Sequence, residues 1–283
     1  MLDLLIAVLI VAIISLFALF LGFRIGVLTK RWPSVVVLVM VGGLYGLYLL
    51  FVRDSVVLVQ VLPISSVPVL GDPAPWLASL AGGVLLGTRS VLLARRVVIA
   101  ALVVAMGWHG PVRVLTVQPP ETHNTWNQGV CLQSTFSTCG PAALTTLLKH
   151  HGVKTNETAL AELCLTSDKG THLTGLFRGL ALKTPEGMKP RAQHMSVDEL
   201  IANPDRLPAV VSLMLTRELA RADPRYAEDW GWDVGVMHTV VVESFDGEAY
   251  VYIADPGVGP ERWSQRGLRE LWTGEVLYLE ADD

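Results

Sequence analysis

Gln133-Ser-Thr-Phe-Ser-Thr-Cys139-Gly140-Pro141-Ala-Ala-Leu-Thr-Thr-Leu-Leu-Lys-His-His-Gly152 is the stretch whose pattern decides the fold. Ala142, Ala143, Leu144, Leu147 and Leu148 recur at helical spacing and predict a largely buried helix. Pro141 suits the first helical turn, where a missing N–H costs nothing. Gly152 suits the C-terminal stop. Cys139 therefore falls at or just before the helix N-terminus. Unpaired N–H groups and the helix dipole stabilise negative charge there. Such a position lowers a thiol's pKa and supplies a nucleophilic thiolate. A small core cysteine is the competing reading, and placement alone leaves the two level.

Working outward, Met237-His238-Thr-Val-Val-Val-Glu243 reads as a buried strand that opens with His238. Asp246-Gly247 is a turn signal. Tyr250-Val-Tyr-Ile-Ala254 is a second strand, ending in Asp255-Pro256-Gly257. An antiparallel hairpin brings the start of its first strand near the end of its second. His238 and Asp255 are thus expected neighbours, although 17 positions separate them. Thiolate, imidazole and carboxylate make a Cys-His-Asp triad. Asp255 would orient the ring, and His238 would take the thiol proton and pass it to the leaving amine. Gln133 and the backbone N–H of Cys139 would face the oxyanion.

The pattern Gln133-x5-Cys139-Gly140-Pro141-Ala142-Ala143-Leu144, then His238-x-Val-Val-Val, then Ala254-Asp255-Pro256, resembles the bacteriocin-processing cysteine peptidases. The tail Leu268-Arg-Glu-Leu-Trp272-Thr-Gly-Glu-Val-Leu277 is similar to that family's ending. The resemblance covers about residues 128 to 280. It implies a papain-like α+β peptidase domain that cleaves leader peptides after a double glycine. It assigns Cys139 as nucleophile, His238 as base, Asp255 as orienting residue and Gln133 to the oxyanion hole. Thr138 stands where many members carry an acid. Thr216 to Val236, with Asp229-Trp-Gly-Trp-Asp233, looks like an insertion. No Gly-x4-Gly-Lys-Ser/Thr loop occurs, so any ABC exporter would be a separate chain.

The first 108 residues are of another kind. They hold seven Lys/Arg and three Asp/Glu, whereas the rest holds fifteen and twenty-three. An acidic second part without a basic run argues against nucleic acid as a partner. Leu4 to Phe23 is an uncharged run of 20 residues and Ser34 to Val52 one of 19, each long enough to span a bilayer. A cleaved signal peptide would want a basic start and a shorter apolar stretch, whereas Asp3 opens this chain. Ser55 to Gly71 carries Pro63 and Pro68 and reads as a loop or a surface-lying segment. Pro73 to Thr88 and Val97 to Val112, each 16 residues without charge, read as a helical hairpin. Arg24, Lys30 and Arg31 lie between spans one and two, and Arg89, Arg95 and Arg96 between spans three and four. Positive charge marks the cytoplasmic side. Four spans with both termini outside satisfy both clusters; a fifth span, or a hairpin that fails to cross, reverses the side of the soluble part.

The sequence thus divides into a transmembrane region of about four helices (1–112), a linker (113–128) and a papain-like domain (129–283). The fold class is α+β, preceded by an all-α membrane region. The expected protein is a membrane-anchored cysteine endopeptidase in a bacterial inner or plasma membrane, with its peptidase domain extracytoplasmic. Its partners are a peptide or protein substrate and the lipid bilayer, and no metal or organic cofactor is called for. An envelope transpeptidase or amidase would use the same triad. A peptide-binding module that has lost catalysis, serving as a secretion adaptor, is the reading from a different class. Cys131 and Cys164 are a candidate disulfide that would leave Cys139 free. His150 and His151, adjacent on a helix, point apart and read as a polar helix end rather than as joint ligands. Trp230 and Trp232 are candidates for substrate contact.

Overall fold

The computed structural model describes residues 1–29, 31–53, 55–88 and 92–282, which form two compact units, Met1–Val117 and Gln118–Asp283. Lys30 and Arg89, which carry part of the charge reading, lie outside the described residues.

The first unit is helical: α1 (Leu2–Leu28), α2 (Arg31–Phe51), α3 (Val56–Val61), α4 (Val67–Leu70), α5 (Ala74–Gly87), α6 (Leu93–Gly107) and α7 (His109–Thr116). Among the described residues three stretches, Leu2–Leu28, Trp32–Phe51 and Val67–Gly87, are long and apolar enough to cross a membrane. A fourth exists if α6 and α7, bent by 44° at Trp108, count as one span. Ser55 to Gly71 is therefore only in part a loop: residues 62–66, with Pro63, are non-helical and are flanked by two short helices. These are α3 and α4, whose Val59, Val67 and Val69 are buried, and α4 joins the third apolar stretch. Pro68 and Pro75 sit in the first turns of α4 and α5, where proline starts helices instead of breaking them.

Glycines let α1 and α5 touch backbone to backbone. A Cβ on Gly22 would strike the Leu80 carbonyl oxygen, and one on Gly83 the Leu19 carbonyl oxygen. Gly26 and Gly87, each four residues on, meet the opposite helix in the same way. Small residues spaced by four make such close crossings possible between apolar helices, which gain little from hydrophobic burial in lipid. Arg96 closes the α5–α6 connection by donating from Nη1 to the carbonyls of Leu86 and Thr88, both at 2.9 Å.

The second unit begins with a small hairpin of β1 (Trp126–Asn127) and β2 (Val130–Cys131). Three helices follow: α8 (Cys139–His150), α9 (Glu157–Leu163) and α10 (Leu173–Lys183). Next come β3 (Met188–His194), α11 (Val197–Ile201), β4 (Ala209–Met214), α12 (Arg217–Ala222) and α13 (Arg225–Glu228). The unit ends with β5 (Met237–Asp246), β6 (Tyr250–Asp255), β7 (Gly259–Ser264), α14 (Gln265–Leu271) and β8 (Trp272–Ala281). Six strands form one antiparallel sheet in the order β3-β8-β4-β5-β6-β7. The unit is mixed α+β, as the sequence predicts.

The helix read from the opening stretch is α8, and it packs on β5. Ala142, Ala143, Leu144, Leu147 and Leu148 are all fully buried. Truncating Leu144 or Leu147 to alanine would cost about 2–5 kcal/mol. The helix stops at Gly152, whose φ of +73° suits a residue without Cβ. The Gly152 N–H donates to the Lys149 carbonyl and that of Val153 to Leu148, completing a Schellman end. A second core joins Leu213, Val240, Val242, Ile253 and Tyr278 of the sheet to Leu200 of α11, Tyr226 of α13 and Leu268 of α14.

Candidate active site

Cys139 is the first residue of α8, with Thr138 as its N-cap residue. His238 is the second residue of β5 and Asp255 the last of β6. The register pairs Val241 with Ala254, so Asp255 faces Val240 and His238 lies two residues further along the same face. The predicted hairpin therefore brings the two side chains together. His238 Nε2 donates to Asp255 Oδ1 at 2.8 Å, and the carboxylate, which can only accept, fixes the proton on that nitrogen. The same Oδ1 accepts the Gly257 N–H at 2.6 Å. The ring is left to meet the Cys139 thiol through its other nitrogen, and the two side chains are hydrogen-bonded.

Electrostatics follow from this contact. Burial pushes the Cys139 thiol up, but the hydrogen bond and charge of His238, with contacts to Thr239, outweigh it and hold the thiol below its ordinary value. Burial pushes His238 down, but Asp255 and Cys139 outweigh that and raise it to about 10. Both directions favour thiolate and imidazolium as a pair.

Gln133 lines one pocket with His238 and Asp255, of about 230 Å³. Its backbone N–H donates to the Pro256 carbonyl at 2.8 Å, tying it to the residue after Asp255. Its side-chain Oε1 is buried and has no hydrogen-bond partner among the described residues. Three of the four sequence-predicted site residues, Gln133, His238 and Asp255, thus line one pocket, and Cys139 joins them through its hydrogen bond with His238. Among the described residues no group of three or more His, Cys, Asp and Glu is arranged to hold a metal ion.

Several contributors escaped the sequence. Glu157, the first residue of α9, is fully buried. It accepts from the Ser134 N–H at 2.7 Å and the Ser134 hydroxyl at 2.5 Å, pinning the residue after Gln133. Thr138 Oγ1 accepts from the N–H groups of Ser134 and Thr135, at 3.1 and 3.0 Å. A neutral hydroxyl thus turns the loop where the resemblance leads one to expect an acid, and the loop's carboxylate arrives from α9 instead. Nothing local in Asn156-Glu157-Thr158 signals this, because the pair is 23 residues apart. Trp232, from the segment read as an insertion, meets the His238 ring edge-on at 5.6 Å.

Other expectations fall away from the site. Cys131 and Cys164 are free, buried thiols and do not form the anticipated disulfide. Cys131 lies on β2, whereas Cys164 packs where a Cβ on Gly179 of α10 would strike its sulfur. His150 pairs with Glu243 at 3.0 Å on the surface, as a polar helix end would.

The family model of the Peptidase C39 family matches residues 127–218 and 225–283. The break, residues 219–224, falls inside the segment read as an insertion. The chain is 30% identical over 151 residues to an uncharacterized protein of Methanothermobacter marburgensis, covering 53% of this chain and 87% of that one. It is 31% identical over 148 residues to the probable functional amyloid protease FapD of Pseudomonas aeruginosa, covering 51% of this chain and 57% of the relative. Among solved structures it is similar to the peptidase domain of Streptococcus ComA, a bi-functional ABC transporter, at 24% identity and a TM-score of 0.43. That match covers 56% of this chain and all of the other. With more than half of its residues on the family's pattern, this chain belongs to the Peptidase C39 family.

Proposed function

We propose that the protein is a membrane-anchored cysteine endopeptidase that cleaves a peptide bond after Gly-Gly in a leader peptide. The observation that carries this reading is the Cys139–His238–Asp255 chain of contacts, with the thiol lowered and the imidazole raised. Cys139 thiolate attacks the carbonyl carbon, and its charge moves to the carbonyl oxygen. Gln133 and the Cys139 backbone N–H donate to that oxyanion. As the C–N bond breaks, His238 gives its proton to the leaving amine and a thioester remains. Water then attacks the thioester, with His238 as base, and returns the thiolate. Asp255 holds the ring in the tautomer this needs.

The anchor is the helical unit Met1–Val117, which carries the boundary expected at 112 on to the end of α7, and the peptidase domain over 129–283 follows a short linker. Four spans, with the α6–α7 pair as the fourth, place Arg24, Arg95 and Arg96 in the cytoplasm and the peptidase domain outside. The substrate reaches it from the membrane, and an ABC exporter on a separate chain would deliver it.

The test is labelling of the membrane-embedded protein by a vinyl sulfone peptide ending in Gly-Gly. Wild type is compared with Cys139→Ala and His238→Ala, on intact and lysed cells. Labelling lost in both variants is expected, with an impermeant probe reaching wild type in intact cells. If Cys139 reacts no faster than Cys131 or Cys164, and His238 makes no difference, the peptidase reading fails.

A further inference from the structure

A second cavity, of about 540 Å³, lies beside the site and shares Asp255, Trp230, Trp232 and Val258 with the triad pocket. Gln133 and His238 line only the first. Trp232 meets His238 edge-on and Trp263 at 6.0 Å, so one indole walls both spaces. The second cavity is further bounded by Trp230, Trp263, Asp229 and Glu261. No lysine, arginine or histidine is among the described residues that line it. The Arg225 guanidinium lies over the Trp230 ring at 5.5 Å and is held by Asp223.

We propose that this cavity is a subsite for a basic side chain, lysine or arginine, on the leaving-group side of the scissile bond. The inference rests on the peptidase reading above. Indole rings and carboxylates together suit a cation, which gains from ring faces and from opposite charge in a partly desolvated space. An apolar occupant would leave Glu261, held by the neutral Trp263 N–H, without a cation in contact, whereas Asp255 already pairs with His238. Glu261 fits this account: burial pushes its carboxyl up, the Trp263 N–H that donates to it at 2.8 Å and the charge of His238 offset this only in part, and neighbouring Asp255 adds to the rise. A cation placed there relieves both costs. The side of the bond follows from His238, which must reach the leaving nitrogen. The departing segment therefore runs over His238, and the cavity lies just past it, behind Trp232.

The full chain in detergent micelles is given peptides carrying Gly-Gly, with lysine, norleucine or glutamate at each of the first three positions after it. We expect kcat/KM in the order lysine, norleucine, glutamate at one of these positions, with lysine over norleucine by about tenfold. Glu261→Gln and Trp230→Ala should each narrow that ratio. Calorimetry with the Cys139→Ala chain and the same peptides should give the same order in Kd. Lysine and norleucine peptides that are cleaved alike at every position overturn the proposal. So do Kd values that fail to separate them, absent binding included. Calorimetric preference for lysine without cleavage of any peptide by wild type sinks the peptidase reading but upholds the cation subsite.

Discussion

Two helix ends in this protein carry a cysteine, and they differ in almost every respect. Cys139 opens α8, while Cys164 caps the C-terminus of α9. Burial pushes the Cys164 thiol up to about 12, and it pushes Cys131, eight residues before Cys139, to about 12 as well. Burial acts on Cys139 in the same sense, yet its thiol falls below the ordinary value because His238 faces it. A helix N-terminus favours a thiolate and a C-terminus opposes it. The comparison adds that the N-terminus alone does not decide the matter: a cation has to offset desolvation.

The sharpest way to break this contrast is to remove the cation. His238→Ala should cut cleavage by about a millionfold, on the scale of losing a triad member. It should also erase the difference in alkylation rate between Cys139 and the two buried thiols. In wild type, the Cys139 alkylation rate should hold up as pH falls through about 8.5, where an ordinary thiol protonates. Cleavage should decline as pH rises through about 10, because His238 then loses the proton it gives to the leaving amine. A wild-type alkylation profile that follows an ordinary cysteine would remove the basis of the contrast.

A smaller loss should follow Asp255→Asn, which keeps the shape of the 2.8 Å contact but not its charge. We expect kcat to fall by about 10²- to 10⁴-fold, with alkylation of Cys139 shifted toward higher pH. An unchanged alkylation profile would mean that Asp255 does not support the imidazolium.

The smallest effect concerns the loop that carries Gln133. Glu157→Ala releases Ser134 and should lower kcat up to about a hundredfold through misplacement of the oxyanion donor. KM and the pH profile should stay near wild type, and Glu157→Gln, which can still accept from the Ser134 N–H, should recover most of the rate. Equal loss in both variants would assign Glu157 to folding rather than to positioning.

Much of the fold and site was legible because it is local or follows from one pairing rule. The start and stop of α8 are written in Pro141 and Gly152, and the β5–β6 hairpin in its alternation and the Asp246-Gly247 turn. A hairpin's register depends on strand periodicity and turn length, so His238 and Asp255 could be placed together from sequence. The apolar spans were legible by length, but not their packing: Gly22, Gly26, Gly83 and Gly87 show their meaning only when α1 and α5 meet. Pro63 lies between helices, as the loop reading of Ser55 to Gly71 expects, but that reading misses α4 because Pro68 in a first turn looks in sequence like a proline in a loop.

The sequence by itself determined the class of each half, the place of Cys139 at a helix start, and the residue types that face it. Tertiary structure alone decided the protonation balance of Cys139, since desolvation and the His238 contact oppose each other and only their distances set the winner. It also decided which carboxylate pins the oxyanion loop and which indoles wall the cleft. Those contacts join residues from separate elements, and no periodicity along the chain encodes a meeting between side chains that only packing brings within reach.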